Sequence, residues 1–153
     1  MSCWREMKKE IEDRFGLVWP QHVGNLTQLL IAARNGFDGD LDMFLVLAVV
    51  GDRTFSAKSA DPKLSYSAWR EGAARHSVPL SINARSIADY TGIPRETVRR
   101  KLLLLEEKGW ITKGADGALQ ATNKARRELE PLTLASIRYL EQLFKLFQTL
   151  LGK

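Results

Sequence analysis

The sequence predicts a mainly α-helical fold in which a small β-hairpin, flanked by N- and C-terminal helices, interrupts the helical pattern once. Three observations carry that expectation. Apolar residues recur at helical spacing through most of the chain, as at Val98, Leu102 and Leu105 (i, i+4, i+7). Residues 110–113 and 118–121 alternate instead with a period of two, around a Gly114-Ala115-Asp116-Gly117 tip whose Asp-Gly is a strong hairpin signal. An apolar fraction of 44% over 153 residues suffices for one folded domain with helical extensions and argues against disorder.

Taken in order, residues 1–15 read as a short helix charged with both signs, closed by Gly16 and a break at Trp19-Pro20. Asn25 or Thr27 is placed to cap a second helix reaching Asn35, with Leu26, Leu29, Leu30 and Ala33 on one face. Gly36, Asp38 and Gly39 end it, and Asp40 caps a strongly apolar helix over 41–50 that stops at Gly51. Residues 53–63 lack periodicity and contain Asp61-Pro62, so a loop is expected there, and 64–75 reads as one more short helix. Val78-Pro79 opens an extended stretch to Ile82, because the residue before a proline avoids helical backbone.

Asn83 then caps a helix over 84–90 that buries Ile87 and Ala88. Thr91-Gly92-Ile93 forms a turn, Pro94 suits the first turn of a helix running to about Lys108, and Gly109 terminates that helix. Helix, turn, helix, strand, hairpin tip, strand is the order of a winged helix-turn-helix. After Thr122 the chain is helical again, broken or kinked at Pro131, and 132–151 forms a long helix. Its main apolar row is Leu132, Ile137, Leu140, Leu143, Phe144, Phe147, Leu150 and Leu151, while Leu134, Tyr139 and Leu146 fall outside it. Surplus apolar surface must meet another element or another chain: either the N-terminal helices cover it within one subunit or a second subunit does. A two-fold homodimer is the favoured expectation, because a single helix-turn-helix rarely gives enough specificity alone. The expected organisation is therefore a helical region over 1–77 for dimerisation and sensing, a DNA-binding winged region over 78–122, and dimerising helices over 123–153.

Charge is distributed unevenly. Residues 81–127 hold ten basic and five acidic side chains, so the whole net charge of +5 sits there and the rest of the chain balances. A localised basic excess is the footprint expected of a nucleic-acid-binding surface. On the helix over 94–108, Val98, Leu102 and Leu105 face the core, and Glu96, Arg100 and Glu107 fall on the opposite side, flanked by Arg95 and Arg99. Arginine can donate two parallel bonds to guanine O6 and N7, and glutamate can accept from cytosine N4. Arg95, Glu96, Arg99 and Arg100 thus form a base-reading set near the start of the helix, where base edges come within reach. Arg85 and the hairpin's Lys113 are placed to meet phosphates, with Lys124, Arg126 and Arg127 either extending that surface or forming a solvated face.

Ile87-Ala88, Gly92, Arg95-Glu96-Thr97-Val98, Arg100, Leu102, Leu105-Glu106 and Gly109-Trp110-Ile111 resemble the DNA-binding domain of the Crp/Fnr regulators. The resemblance covers residues 81–121, about a quarter of the chain. It implies base contacts at Arg95, Glu96 and Arg100 and a supporting backbone contact at Thr97. The family's β-roll effector domain has no counterpart in the first 80 residues, so cyclic-nucleotide sensing does not carry over. Flanking helices around a central winged helix are closer to MarR-like dimers, and Arg99 stands where the Crp/Fnr pattern has a small residue.

Other chemistries find little support. His22 and His76 are far apart and Cys3 has no partner at metal-ligand spacing, so no metal and no cofactor are expected. Neither a phosphate-binding glycine loop nor a nucleophile elbow is present, so the chain reads as a non-enzyme. Tyr66, Trp69 and His76 would line a pocket for an unknown small-molecule effector, or simply pack as core. A single cysteine, a charged N-terminus and the absence of an apolar run near the ~20 residues of a membrane span point to a cytoplasmic protein without membrane contact. The expected function is a transcription regulator that binds double-stranded DNA as a homodimer; a replication or plasmid-maintenance protein and a winged-helix protein-interaction module are the alternatives.

Overall fold

Long runs of good helix formers and few β-branched residues leave helix as the default, and the computed structural model follows that preference. It describes residues 3–55, 61–72 and 82–152. Within them lie α1 (Cys3–Asp13), α2 (Phe15–Gly36), α3 (Leu41–Thr54), α4 (Tyr66–Arg70), α5 (Ala84–Thr91), α6 (Arg95–Glu107), β1 (Ile111–Lys113), β2 (Leu119–Ala121), α7 (Asn123–Glu128) and α8 (Glu130–Leu150). The chain forms two compact units, one of Met1–Gly36 with Pro131–Lys153, the other of Phe37–Glu130. The boundary expected between residues 77 and 78 therefore falls inside the second unit. Its cause is α3, which packs on α5, α6 and β2.

In the first unit the break anticipated at Trp19-Pro20 lies earlier, at Arg14, and α2 runs unbroken through Pro20. Pro20 removes the donor for the Gly16 carbonyl, but Gly16 is exposed, so water can solvate that oxygen. Neither Asn25 nor Thr27 caps anything: both lie inside α2, and the Thr27 hydroxyl donates back to the Val23 carbonyl (2.7 Å). Ala33 is buried as expected, whereas Leu30 is exposed. Val18 of α2 meets Leu146 and Leu150 of α8, with Ile11 and Phe147 alongside. Pro131 sits in the first turn of α8, where its missing N–H costs nothing.

The second unit is built around the underside of α6. Val98, Leu102 and Leu105 are buried there, as their spacing required, with Met43, Val46, Leu47 and Val50 of α3 and Ile87 of α5 in the same core. Asp40 caps α3 by accepting the Met43 N–H (2.9 Å). The stop expected at Gly51 is overridden, and α3 continues to Thr54. Thr54 is buried; its hydroxyl donates to the Val50 carbonyl (2.8 Å) and accepts the Ala121 N–H (3.0 Å), joining α3 to β2. A glycine in mid-helix costs about 1 kcal/mol, which this tertiary contact can offset.

Two glycines at positive φ shape the segment between α5 and the sheet. Gly92 (φ 75°) closes α5 by donating to the Ala88 carbonyl (2.9 Å). Gly109 (φ 71°) ends α6 with paired bonds, Gly109 N–H to Glu106 O and Trp110 N–H to Leu105 O, both 2.9 Å. That is a Schellman closure, and it turns the chain directly into β1. β1 and β2 pair antiparallel in the register Ile111↔Ala121, Thr112↔Gln120, Lys113↔Leu119. The Asp116 carboxylate stabilises the tip by accepting the Ala118 N–H (3.0 Å). Residues 78–81, expected to be extended, and 73–75, expected to end a helix, lie outside the described residues; the helix observed in that region is α4, capped by Ser65.

Candidate nucleic-acid interface

The seven polar residues singled out by the sequence fall on α5, α6 and the hairpin of the second unit. Arg85 belongs to α5, Arg95, Glu96, Thr97, Arg99 and Arg100 to α6, and Lys113 to the end of β1. All are exposed except Thr97, which is half-buried. α6 holds its outer face in place because its inner face is anchored by three fully or nearly fully buried side chains. The rigid backbone then sets where each arginine begins.

The structure gathers four of the seven around one groove of about 490 Å³. Arg85 lies on one wall, Arg95 and Arg99 on another, and Lys113 closes it from the hairpin. Glu106 is the one acidic residue in the lining, so the concavity is strongly positive. Glu96 borders it through an ion pair with Arg99 (3.1 Å), in place of the Glu96–Arg100 pairing that i,i+4 spacing suggested. Arg85 faces Asp89 at 3.9 Å. Both pairs are solvent-exposed and contribute little, so the guanidiniums are readily released to another anion. Arg95, Arg100 and Lys113 make no ion pair among the described residues. Thr97 and Arg100 do not line the groove; they occupy the flank of α6 turned away from it.

Four further cations in the basic segment are committed to the fold. Lys101 pairs with Asp40 and is half-buried, tying α6 to the start of α3. Partial burial pushes the Asp40 carboxyl up, but the Lys101 ammonium, the Met43 N–H and the charge of Arg100 together hold it below its ordinary value. Lys108 lies over the Trp110 ring (5.0 Å) and 3.5 Å from Asp38. Lys124 bonds the Lys108 carbonyl and Glu128. Arg126 is buried, 5.1 Å above the Trp69 ring, and burial lowers its affinity for its proton. Of the three residues considered for a wider basic surface, Arg126 is thus structural, Lys124 is internally bonded and Arg127 is exposed.

Sequence reasoning did not foresee the groove's remaining lining, notably Asn83 and Ala84 at the first turn of α5 and the exposed Leu103. Asn83 was legible only as a cap, which it is, accepting the Ser86 N–H (3.0 Å). Tyr66 and Trp69 are stacked at 6.1 Å, and Phe55 meets Trp69 edge-on at 6.5 Å. With Arg126 over the same indole, Phe55, Tyr66 and Trp69 form a partly exposed aromatic cluster; His76, the third residue considered for an effector pocket, lies outside the described residues.

Among the described residues no group of three His, Cys, Asp or Glu side chains converges as a metal site would require. No described helix is long and apolar enough to cross a membrane. No family model matches the chain, and no curated protein or solved structure matches it.

Proposed function

We propose that this chain is a winged helix-turn-helix protein that binds double-stranded DNA, seats α6 in the major groove, and acts as a homodimeric transcription regulator. The single observation that carries the reading is the concentration of exposed cations on α5, α6 and the hairpin, while Lys101, Lys108, Lys124 and Arg126 of the same segment are bonded within the fold. Arg95, Glu96, Arg99 and Arg100 project from the first two turns of α6, where base edges are within reach. Arg85 and Lys113, exposed and lining the same groove as Arg95 and Arg99, are the cations offered to phosphates. The β1–β2 hairpin plays the wing. Arg95 to Glu96 and Arg100 supplies the donors and acceptor that read guanine and cytosine, and Thr97, half-buried, supports the backbone approach.

The test is fluorescence anisotropy of the full chain on a library of palindromic duplexes, at low salt and then across increasing salt. Binding should weaken linearly on a logarithmic scale as counterions are displaced, and a subset of sequences should retain affinity at physiological salt. No binding at low salt would sink the reading and favour an acidic protein partner for the same arginines.

A further inference from the structure

Leu103 stands on the outward face of α6 and is 58% exposed, more than any other large aliphatic side chain among the described residues of the second unit. The packing of α6 does not call on it, because Val98, Leu102 and Leu105 already fill the inner face. It lines the basic groove together with Arg95 and Arg99, whereas the less exposed Leu104 stands outside that lining. Helix propensity does not account for the leucine, since arginine and lysine, used elsewhere on this helix, are equally good helix formers.

Helical spacing sets Leu103 among the outward charges. Glu96, Arg99, Arg100 and Leu103 stand at i, i+3, i+4 and i+7, one face over two turns of α6. A helix lying along the major groove reads base edges from positions at that spacing. The arginines and the glutamate have hydrogen-bonding partners there on guanine and cytosine, but a leucine can neither donate nor accept. The one apolar group that a base pair presents in the major groove is the 5-methyl group of thymine. Leucine against that methyl removes apolar surface of both from water. Against a G·C pair the same leucine would leave the polar groups of the base edge without partners.

We infer that Leu103 is a specificity-determining residue of this face and packs against the 5-methyl group of a thymine, so that the recognised half-site holds an A·T pair beside the positions read by Arg99 and Arg100. The inference rests on the DNA-binding reading and is tested so that the two fail differently. The probe is the palindromic duplex that the full chain binds tightest at physiological salt, with thymines of one half-site replaced one at a time by deoxyuridine. That replacement removes the methyl group and leaves the pairing edge intact. At one position it should weaken binding of the wild type about fourfold, the worth of one buried methyl group. Leu103→Ala should bind the unmodified duplex less tightly and be indifferent to the replacement at that position, while Lys113→Ala should keep the whole fourfold step. A wild type that binds the duplex but ignores every deoxyuridine, or a Leu103→Ala chain as sensitive as the wild type, would overturn the inference and leave DNA binding standing. A wild type that binds no duplex at all would sink the DNA-binding reading and this contact with it.

Discussion

Asp40 shows how one side chain can hold two elements together. One carboxylate oxygen caps α3 and the other meets Lys101 on α6. Asp40→Ala should destabilise the protein by about 1–3 kcal/mol, since it removes the cap and leaves a half-buried ammonium without its partner. Asp40→Asn keeps the cap and should cost less. The carboxyl is held below its ordinary value, so the folded protein binds that proton less tightly than the unfolded chain does. Its contribution is therefore present above the ordinary carboxylate value and is lost as pH falls through the depressed folded value. Denaturant titrations across acid pH should show the wild type converging on Asp40→Asn; parallel curves would refute the linkage. The outward residues of α6 give a separate test. Arg100→Ala should cost roughly 1–3 kcal/mol of binding and relax preference at one base pair. Lys113→Ala should weaken all sequences alike and lower the salt slope by about one unit. Identical behaviour of the two variants would show that base and phosphate contacts have been wrongly divided.

At the scale of elements, the link from α3 to β2 is the most exacting. Thr54→Val keeps the shape and removes the acceptor of the Ala121 N–H, which should cost about 1–2 kcal/mol and speed amide exchange at Ala121, while Thr54→Ser should restore both. An unchanged Ala121 exchange rate in the valine variant would mean that the sheet is held by other contacts. This contact also marks where the sequence ceased to be legible. The α5–turn–α6 segment and the hairpin could be read because local chemistry specifies them: the Asn83 cap, left-handed Gly92 and Gly109, the Val98–Leu102–Leu105 spacing and the Asp116-Gly117 tip. The same periodicity placed Arg95, Arg99 and Arg100 on the outer surface. Gly51 and Pro20 read as breakers because their local cost is real, yet a buried threonine in one case and a solvated carbonyl in the other allow the helices to continue. Which cations would be consumed was equally hidden. Lys101 and Arg126 differ from Arg100 and Arg127 only in what the fold brings against them, Asp40 in one case and Trp69 in the other.

The distribution of core over the whole molecule predicts unequal stability of its two units. Phe37–Glu130 holds sixteen of the twenty buried hydrophobic residues and closes its own interior, whereas the helices of the first unit bury four. Local opening is cheapest where few apolar contacts are lost, so α2 and α8 should exchange their amides faster than α3 and α6 under native conditions. If a second copy completes the first unit, association stabilises it by mass action, and protection of α2 and α8 should rise with protein concentration. Protection of α3 and α6 should not, because their partners lie within one chain. Hydrogen exchange read by mass spectrometry at two concentrations separates the cases. Concentration-independent protection throughout, with α8 as slow as α6, would mean that the sparse unit is stable alone and that its exposed leucines and aromatics serve another purpose. Concentration-dependent protection confined to α1, α2 and α8 would instead show that association completes the sparse unit and leaves the other unchanged.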